Sequence, residues 1–312
     1  MPSFILCIRA TILLCSLFSS STKAYKIHSS CQPEKTFVKD AADEAFTMAD
    51  LALDELRSSP RDPQVNRLLG LLFAKKDQDP ATMDVTRLVS TLEGIRRAAT
   101  ENEARPDPIN RDAQYNVMIY CNMWVDGDSR MIANTARNIC SPTDYDTMAI
   151  TWNPARSTLN YRPSQMTICP WFFQWAHKQE YKEYSKVKEG INKARARRTW
   201  EAFSRAMFGR NKGFDSMRML EQTILHELTH TLAGGVLLDV QVTGARKERD
   251  GYGWKTCLAL AKNGGTNPDN GSPVTAFDNA HSVANFGLAV RLLRDQPPLY
   301  VLEDGGVTDQ MP

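Results

Sequence analysis

The run His226-Glu227-Leu228-Thr229-His230 places two imidazoles and a carboxylate at a spacing suited to hydrolytic zinc chemistry. On a helix of about 3.6 residues per turn, positions four apart share a face. Both histidines can therefore hold one Zn²⁺ per chain, while Glu227 acts as general base on a water activated by the metal. Such a motif points to a metalloprotease; the bland alternative is a His/Glu pattern arising by chance on a surface helix.

The flanking residues can build the helix this chemistry needs. Asp215 or Ser216 is a plausible cap, Leu220, Ile224, Leu228 and Leu232 recur every fourth position as an apolar stripe, and Gly234-Gly235 supplies the stop. His226 falls on the side opposite that stripe, toward a cleft. A catalytic zinc usually takes a third protein ligand and keeps a position for water. No histidine stands near six positions after His230, so the acidic candidates are Asp239, Glu248 and Asp250. Asp239 is favoured because it follows the apolar run Val236-Leu237-Leu238, where a carboxylate needs a cation partner. Asp250 sits in a polar stretch and remains the competitor.

The N-terminus reads as a secretory signal. Residues Ile5 to Phe18 are mostly apolar, Thr22-Lys23-Ala24 is an acceptable cleavage site before Tyr25, and the run is too short to span a bilayer. Of 38 Lys+Arg, the signal at residues 1–24 carries Arg9 and Lys23, leaving 36 against 36 Asp+Glu. The mature chain is then formally neutral, and no nucleic acid or other polyanion is expected as a partner. Residues 176–213 hold eleven Lys/Arg against four glutamates, but without an interleaved aromatic pattern like that of nucleic-acid binders they read as a solvated helical face. Cys7 and Cys15 leave with the signal. Cys31, Cys121, Cys140, Cys169 and Cys257 remain, consistent with two disulfides and one free thiol whose pairing the sequence does not choose.

Beyond the signal, residues 25–304 are expected to form one catalytic domain, with 25–110 as its helical N-terminal part and 305–312 as a flexible tail. Helical spacing runs through Phe37 to Leu56, Val65 to Phe73 and Val85 to Ile95. Arg105-Pro106-Asp107-Pro108 breaks it, and short strand-like runs follow at Tyr115–Val125, Met148–Trp152 and Met166–Cys169. Helical sequence returns over Trp171–Arg205, across the zinc motif and over Ala276–Leu293. The expected class is α+β with helices dominant. Asn270-Gly271-Ser272 is a glycosylation sequon followed by Pro273.

Taken together, these residues resemble the aspzincin metalloendopeptidases, the family of deuterolysin and the peptidyl-Lys metalloendopeptidases. In that family the His-Glu-x-x-His helix is followed by an aspartate ligand and a Tyr-Gly pair; here Asp239 and Tyr252-Gly253 follow His226–His230. Ile168-Cys169-Pro170-Trp171-Phe172-Phe173 is similar to the family's strand ending in a cysteine before aromatics, Cys31 to its early cysteine, and Asn279-Ala280 with Phe286 to a degraded Asn-Ala-Asp helix. The resemblance implies a zincin-like fold, zinc held by His226, His230 and Asp239, and a catalytic Tyr252 donating to the developing oxyanion. The bland role for Tyr252 is an aromatic beside Trp254 filling the core.

Two positions depart from the family. Arg249 stands where the aspartate usually precedes Tyr-Gly, so either an insertion separates Asp239 from Tyr252 or Asp250 has taken the ligand role. His281 replaces the aspartate linked to lysine selectivity, so that selectivity is not carried over, and His281 is expected to be structural. The resulting expectation is a secreted, monomeric zinc endopeptidase acting on protein or peptide, without a membrane span. The alternative is a secreted zincin-fold binding protein with weak or no peptidase activity.

Overall fold

The computed structural model describes residues 24–101, 116–122, 140, 147–154, 163–178, 184, 213–217, 219–242 and 251–312. Residues 1–23, which hold nearly all of the expected signal, lie outside these, as do the Arg105–Pro108 break and most of the basic block. The described chain mixes helix and sheet, with helices dominant.

The first three helices follow the apolar spacing. Helix α1 (Lys35–Arg57) buries Phe37, Ala41, Ala45, Met48, Ala52 and Leu56 on one face, and its many alanines let other helices approach closely. Helix α2 (Pro63–Leu72) starts where Asp62 accepts from the Gln64 amide at 2.7 Å, with Pro63 in the first turn. Helix α3 (Thr86–Arg97) buries Leu88, Leu92 and Ile95.

Strands β1 (Ala24–Ile27), β2 (Thr100–Glu101), β3 (Val117–Tyr120), β4 (Ala149–Trp152) and β5 (Ser164–Ile168) form a sheet ordered β2-β1-β3-β5-β4. Its pairings are parallel except β4–β5, which is antiparallel with Thr151 opposite Met166. This makes β4 an antiparallel edge strand on an otherwise parallel sheet. Strands β3 and β5 are buried along their whole length, as strands covered on both faces require. Each strand-like run noted in the sequence carries a strand: β3 falls within Tyr115–Val125 and β4 within Met148–Trp152, while β5 begins two residues before Met166 and ends at Ile168.

Disulfides Cys31–Cys121 and Cys140–Cys169 fasten the ends of β3 and β5. The first ties the turn after β1 to the residue following Tyr120. The second precedes helix α4 (Pro170–Ala176), whose Phe172 and Phe173 enter the core. Cys257 is buried and lies outside both disulfides.

Helix α5 (Leu220–His230) carries the zinc motif and is buried between α1, helix α7 (Ala280–Leu293) and β4. Gly287 allows this closeness: a Cβ there would lie 2.6 Å from Leu225 Cδ2. Two expectations about the ends of α5 are corrected. Asp215 and Ser216 lie in a separate 3₁₀ turn, Gly213–Met217, and α5 starts after Met219. Asp215 instead accepts from the Trp254 amide at 2.7 Å, capping helix α6 (Trp254–Asn263) from a distant part of the chain. The helix also stops at His230, short of Gly234-Gly235, because Thr231 takes extended backbone and its hydroxyl bonds the Leu228 carbonyl at 2.6 Å. Gly234 then lies against the helix end, where a Cβ would come within 2.1 Å of the Leu228 carbonyl oxygen.

After the site, β6 (Gln241–Val242), β7 (Gly265–Thr266) and β8 (Pro273–Val274) form a small antiparallel sheet. Asn270 is exposed in the turn between β7 and β8. The expected tail at 305–312 contains a strand. Val307–Thr308 (β10) pairs with Tyr300–Val301 (β9), and the Gly305 carbonyl accepts from the Phe214 amide at 2.8 Å. Val307 joins the same buried cluster as Tyr25, so the ordered core reaches past residue 304. Among the described residues, no helix is long and apolar enough to cross a membrane.

Candidate metal centre

Helical spacing stacks His226 and His230 on one face of α5, with Nε2 atoms 3.1 Å apart. The chain then turns back through residues 231–238 and delivers Asp239, whose Oδ1 lies 3.3 Å from His226 Nε2 and 3.5 Å from His230 Nε2. A tetrahedral zinc, with bonds of about 2.0–2.2 Å, sets its ligand atoms about 3.3–3.5 Å apart. The three donors thus form one face of such a tetrahedron, and the group can hold a metal ion. Asp239 is 36 % exposed as a side chain, yet its Oδ1 is buried and faces the two rings.

Without a metal, the charges of the triangle stabilise a proton on His230. Burial disfavours an imidazolium at His230, but the Asp239 carboxylate, with help from Glu227 and the Leu237 carbonyl, outweighs it and pushes the ring up to about 9. Burial by itself would raise Asp239, but His226 and His230 hold its carboxyl well below the usual carboxylate range. A metal ion takes the place of that proton.

Partners outside the triangle fix its geometry. His230 Nδ1 lies 2.8 Å from the Leu237 carbonyl, an arrangement that leaves Nε2 free to act as the ligand atom. Asn153 Nδ2 donates to the His230 carbonyl at 2.7 Å, and its Oδ1 accepts from the Leu232 amide at 3.1 Å and from Ser164 Oγ at 2.7 Å. This small polar cluster terminates α5 against β4 and β5. His226 Nδ1 is buried without a hydrogen-bond partner among the described residues.

Glu227 follows His226 on α5 and is 5 % exposed. Thr151 on β4 lies 2.7 Å from Glu227 Oε2, within donating distance of the carboxylate, and also 3.1 Å from the Glu227 carbonyl. Tyr252 is at the surface, 39 % exposed, with its ring 5.5 Å from that of His226 and 5.3 Å from that of His281. Trp254, not Tyr252, fills the core. His281 is buried with its ring 5.5 Å from His226, beside the donor group but not in it.

The remaining histidines are elsewhere. His28 accepts from the Ser30 amide, and His177 pairs with Glu34 at 2.7 Å. Glu248, Arg249 and Asp250 lie outside the described residues. Thr151 and Asn153 escaped the sequence reading because nothing in a strand-like run tells which side chain will meet a helix distant in the chain. In comparisons with protein-family models, curated proteins and solved structures, the chain matches none.

Proposed function

We propose that this chain is a secreted zinc-dependent endopeptidase of aspzincin type, with a zincin-like catalytic fold. The observation that carries the proposal is the donor triangle of His226, His230 and Asp239, with edges of 3.1, 3.3 and 3.5 Å, joined to Glu227 on the same helix. Two nitrogens and one carboxylate oxygen suit zinc better than the oxygen-only cages of calcium or magnesium. A zinc ion held there supplies Lewis acidity that makes water nucleophilic near neutral pH.

Glu227 accepts the proton from the attacking water, and Thr151 keeps its carboxylate turned toward the site. Tyr252, exposed beside His226, donates its hydroxyl to the oxyanion that develops on the scissile carbonyl. The edge strand β4 supports a peptide substrate. Among the described residues no strand pairs with its outer side, and an extended peptide can add to such an edge through its backbone. The disulfides support an oxidising compartment and hence secretion.

Incubating the purified chain with an unfolded protein tests the proposal. Cleavage that is abolished by a chelator and restored by zinc is the expected result. Stoichiometric zinc binding without cleavage of any unfolded substrate would replace it with a zincin-fold binding protein.

A further inference from the structure

Asp239 belongs to no regular element, and Tyr252 comes 13 positions later, yet both arrive beside His226. The segment between them is closed at its base, where the Gly251 amide donates to the Val240 carbonyl at 2.6 Å. One side chain spans that closure. Asn279, fully buried, accepts from the Val240 amide at 3.2 Å through Oδ1, and through Nδ2 donates to the Gly251 carbonyl at 3.1 Å and to Ser282 Oγ at 3.0 Å. The chain before Asp239 is pinned to the same place. The Leu238 amide donates to the Asp278 carbonyl at 2.8 Å, and the Ala280 amide donates to the Leu238 carbonyl at 2.9 Å.

A carboxamide suits this position because it presents an acceptor and two donors in one plane. An N–H of Val240 and a C=O of Gly251 need opposite partners, which a carboxylate or an aliphatic side chain of similar size does not provide. Gly251 is shaped to the same contact: a Cβ there would lie 2.7 Å from Asn279 Oδ1 and 2.9 Å from the Val240 carbonyl oxygen. Asn279 also stands at the start of α7, which is registered on the histidine helix through Gln222 Nε2 donating to Asn285 Oδ1 at 2.6 Å.

We propose that Asn279 is a positioning residue for the metal centre, whose buried carboxamide sets Asp239 and Tyr252 in register with His226 and His230. This rests on the metal-centre reading above and extends it to a residue that touches neither metal nor substrate. It also bears on the long interval between the third ligand and the tyrosine: Val240 and Gly251 are hydrogen-bonded to each other, so the interval in sequence is not an interval in space.

The test is a competitive zinc titration of the full chain in four forms: wild type, Asn279→Ala, Gly251→Ala and Ser282→Ala, each with its thermal unfolding recorded. Asn279→Ala and Gly251→Ala are expected to lose about 10- to 100-fold in zinc affinity, the usual effect of removing a group that orients a ligand. Ser282→Ala removes a hydrogen bond from the same buried cluster without touching Val240 or Gly251, and is expected to bind zinc like wild type. Unchanged affinity in Asn279→Ala, or an equal loss in Ser282→Ala, overturns the proposal. If Asn279→Ala shows no cooperative unfolding, Gly251→Ala decides by the same criterion. A wild-type chain that binds no zinc is a separate outcome: it removes the metal centre itself, and the positioning role with it.

Discussion

The two sides of the metal centre are built differently. His226 and His230 are set by one helix, in which position i+4 recurs on the same face by local geometry, and that helix is packed against α1, α7 and β4 along most of its length. Asp239 hangs on a strap without regular structure, held by backbone bonds to Asp278 and Ala280 and by the Asn279 side chain. The first side is fixed by secondary structure and the second by a few tertiary hydrogen bonds. Substitutions far from the metal should therefore disturb the carboxylate side while leaving the histidine side intact.

The largest expected effect lies on the helix side and separates chemistry from binding. Glu227→Gln keeps the shape of the residue and the Thr151 contact but cannot accept a proton. Turnover is expected to fall by about 10² to 10⁴, the usual worth of a positioned acid/base group, with zinc content unchanged. Steady-state kinetics alongside metal analysis checks both, and wild-type turnover in this variant would remove Glu227 from the mechanism.

Ligand removal comes next and probes the comparison itself. His226→Ala, His230→Ala and Asp239→Ala are each expected to weaken zinc by more than the roughly 100-fold upper end seen for lost orienting partners. Asp250→Ala is expected to leave affinity near wild type, although it lies outside the described residues. A greater loss in Asp250→Ala than in Asp239→Ala would transfer the third-ligand role.

A scaffold substitution should act on stability alone. In Gly287→Ala the new methyl meets Leu225 Cδ2, where a Cβ would stand 2.6 Å away, so the buried Leu225 side chain or the α7–α5 packing must shift. Overpacking of this kind costs about 1–3 kcal/mol. A lowered Tm with near-normal zinc affinity at 25 °C is the expected pattern, in contrast to Gly251→Ala, which meets Asn279 and Val240 beside the Asp239 strap.

The smallest effect is a pH slope. In the metal-free site His230 stays protonated up to about 9, so zinc must displace a proton below that value. Apparent zinc affinity should rise about tenfold per pH unit and level off above it. The sign for stability is opposite. A raised folded-state pKa contributes stability that is fully present below the unfolded value of 6.5 and lost as pH rises through about 9. The chelated chain should therefore lose Tm over that window and the zinc-loaded chain should not. A flat affinity profile from 6.5 to 9 would show that His230 holds no such proton.

How much was legible from sequence follows from the range of the forces involved. The spacing of Phe37 through Leu56 and of His226 to His230 reports a helical face directly, because both depend on contacts within a turn or two. Asp239 was legible more weakly, as a carboxylate behind an apolar run. The expected start failed because a distant partner took Asp215, which bonds Trp254, and the expected stop failed locally, because Thr231 bonds Leu228 and ends α5 before the glycines do.

The sequence by itself determined the first three helices, the His-Glu-x-x-His face and the five cysteines that follow Tyr25. Only the tertiary structure decided which cysteines pair, that Thr151 meets Glu227, and that Asn279 joins Val240 to Gly251. The reason is physical. Helical periodicity is repeated every turn and leaves a pattern in the chain. A single hydrogen bond between residues 39 or 76 positions apart leaves none until the core has folded and brought them together.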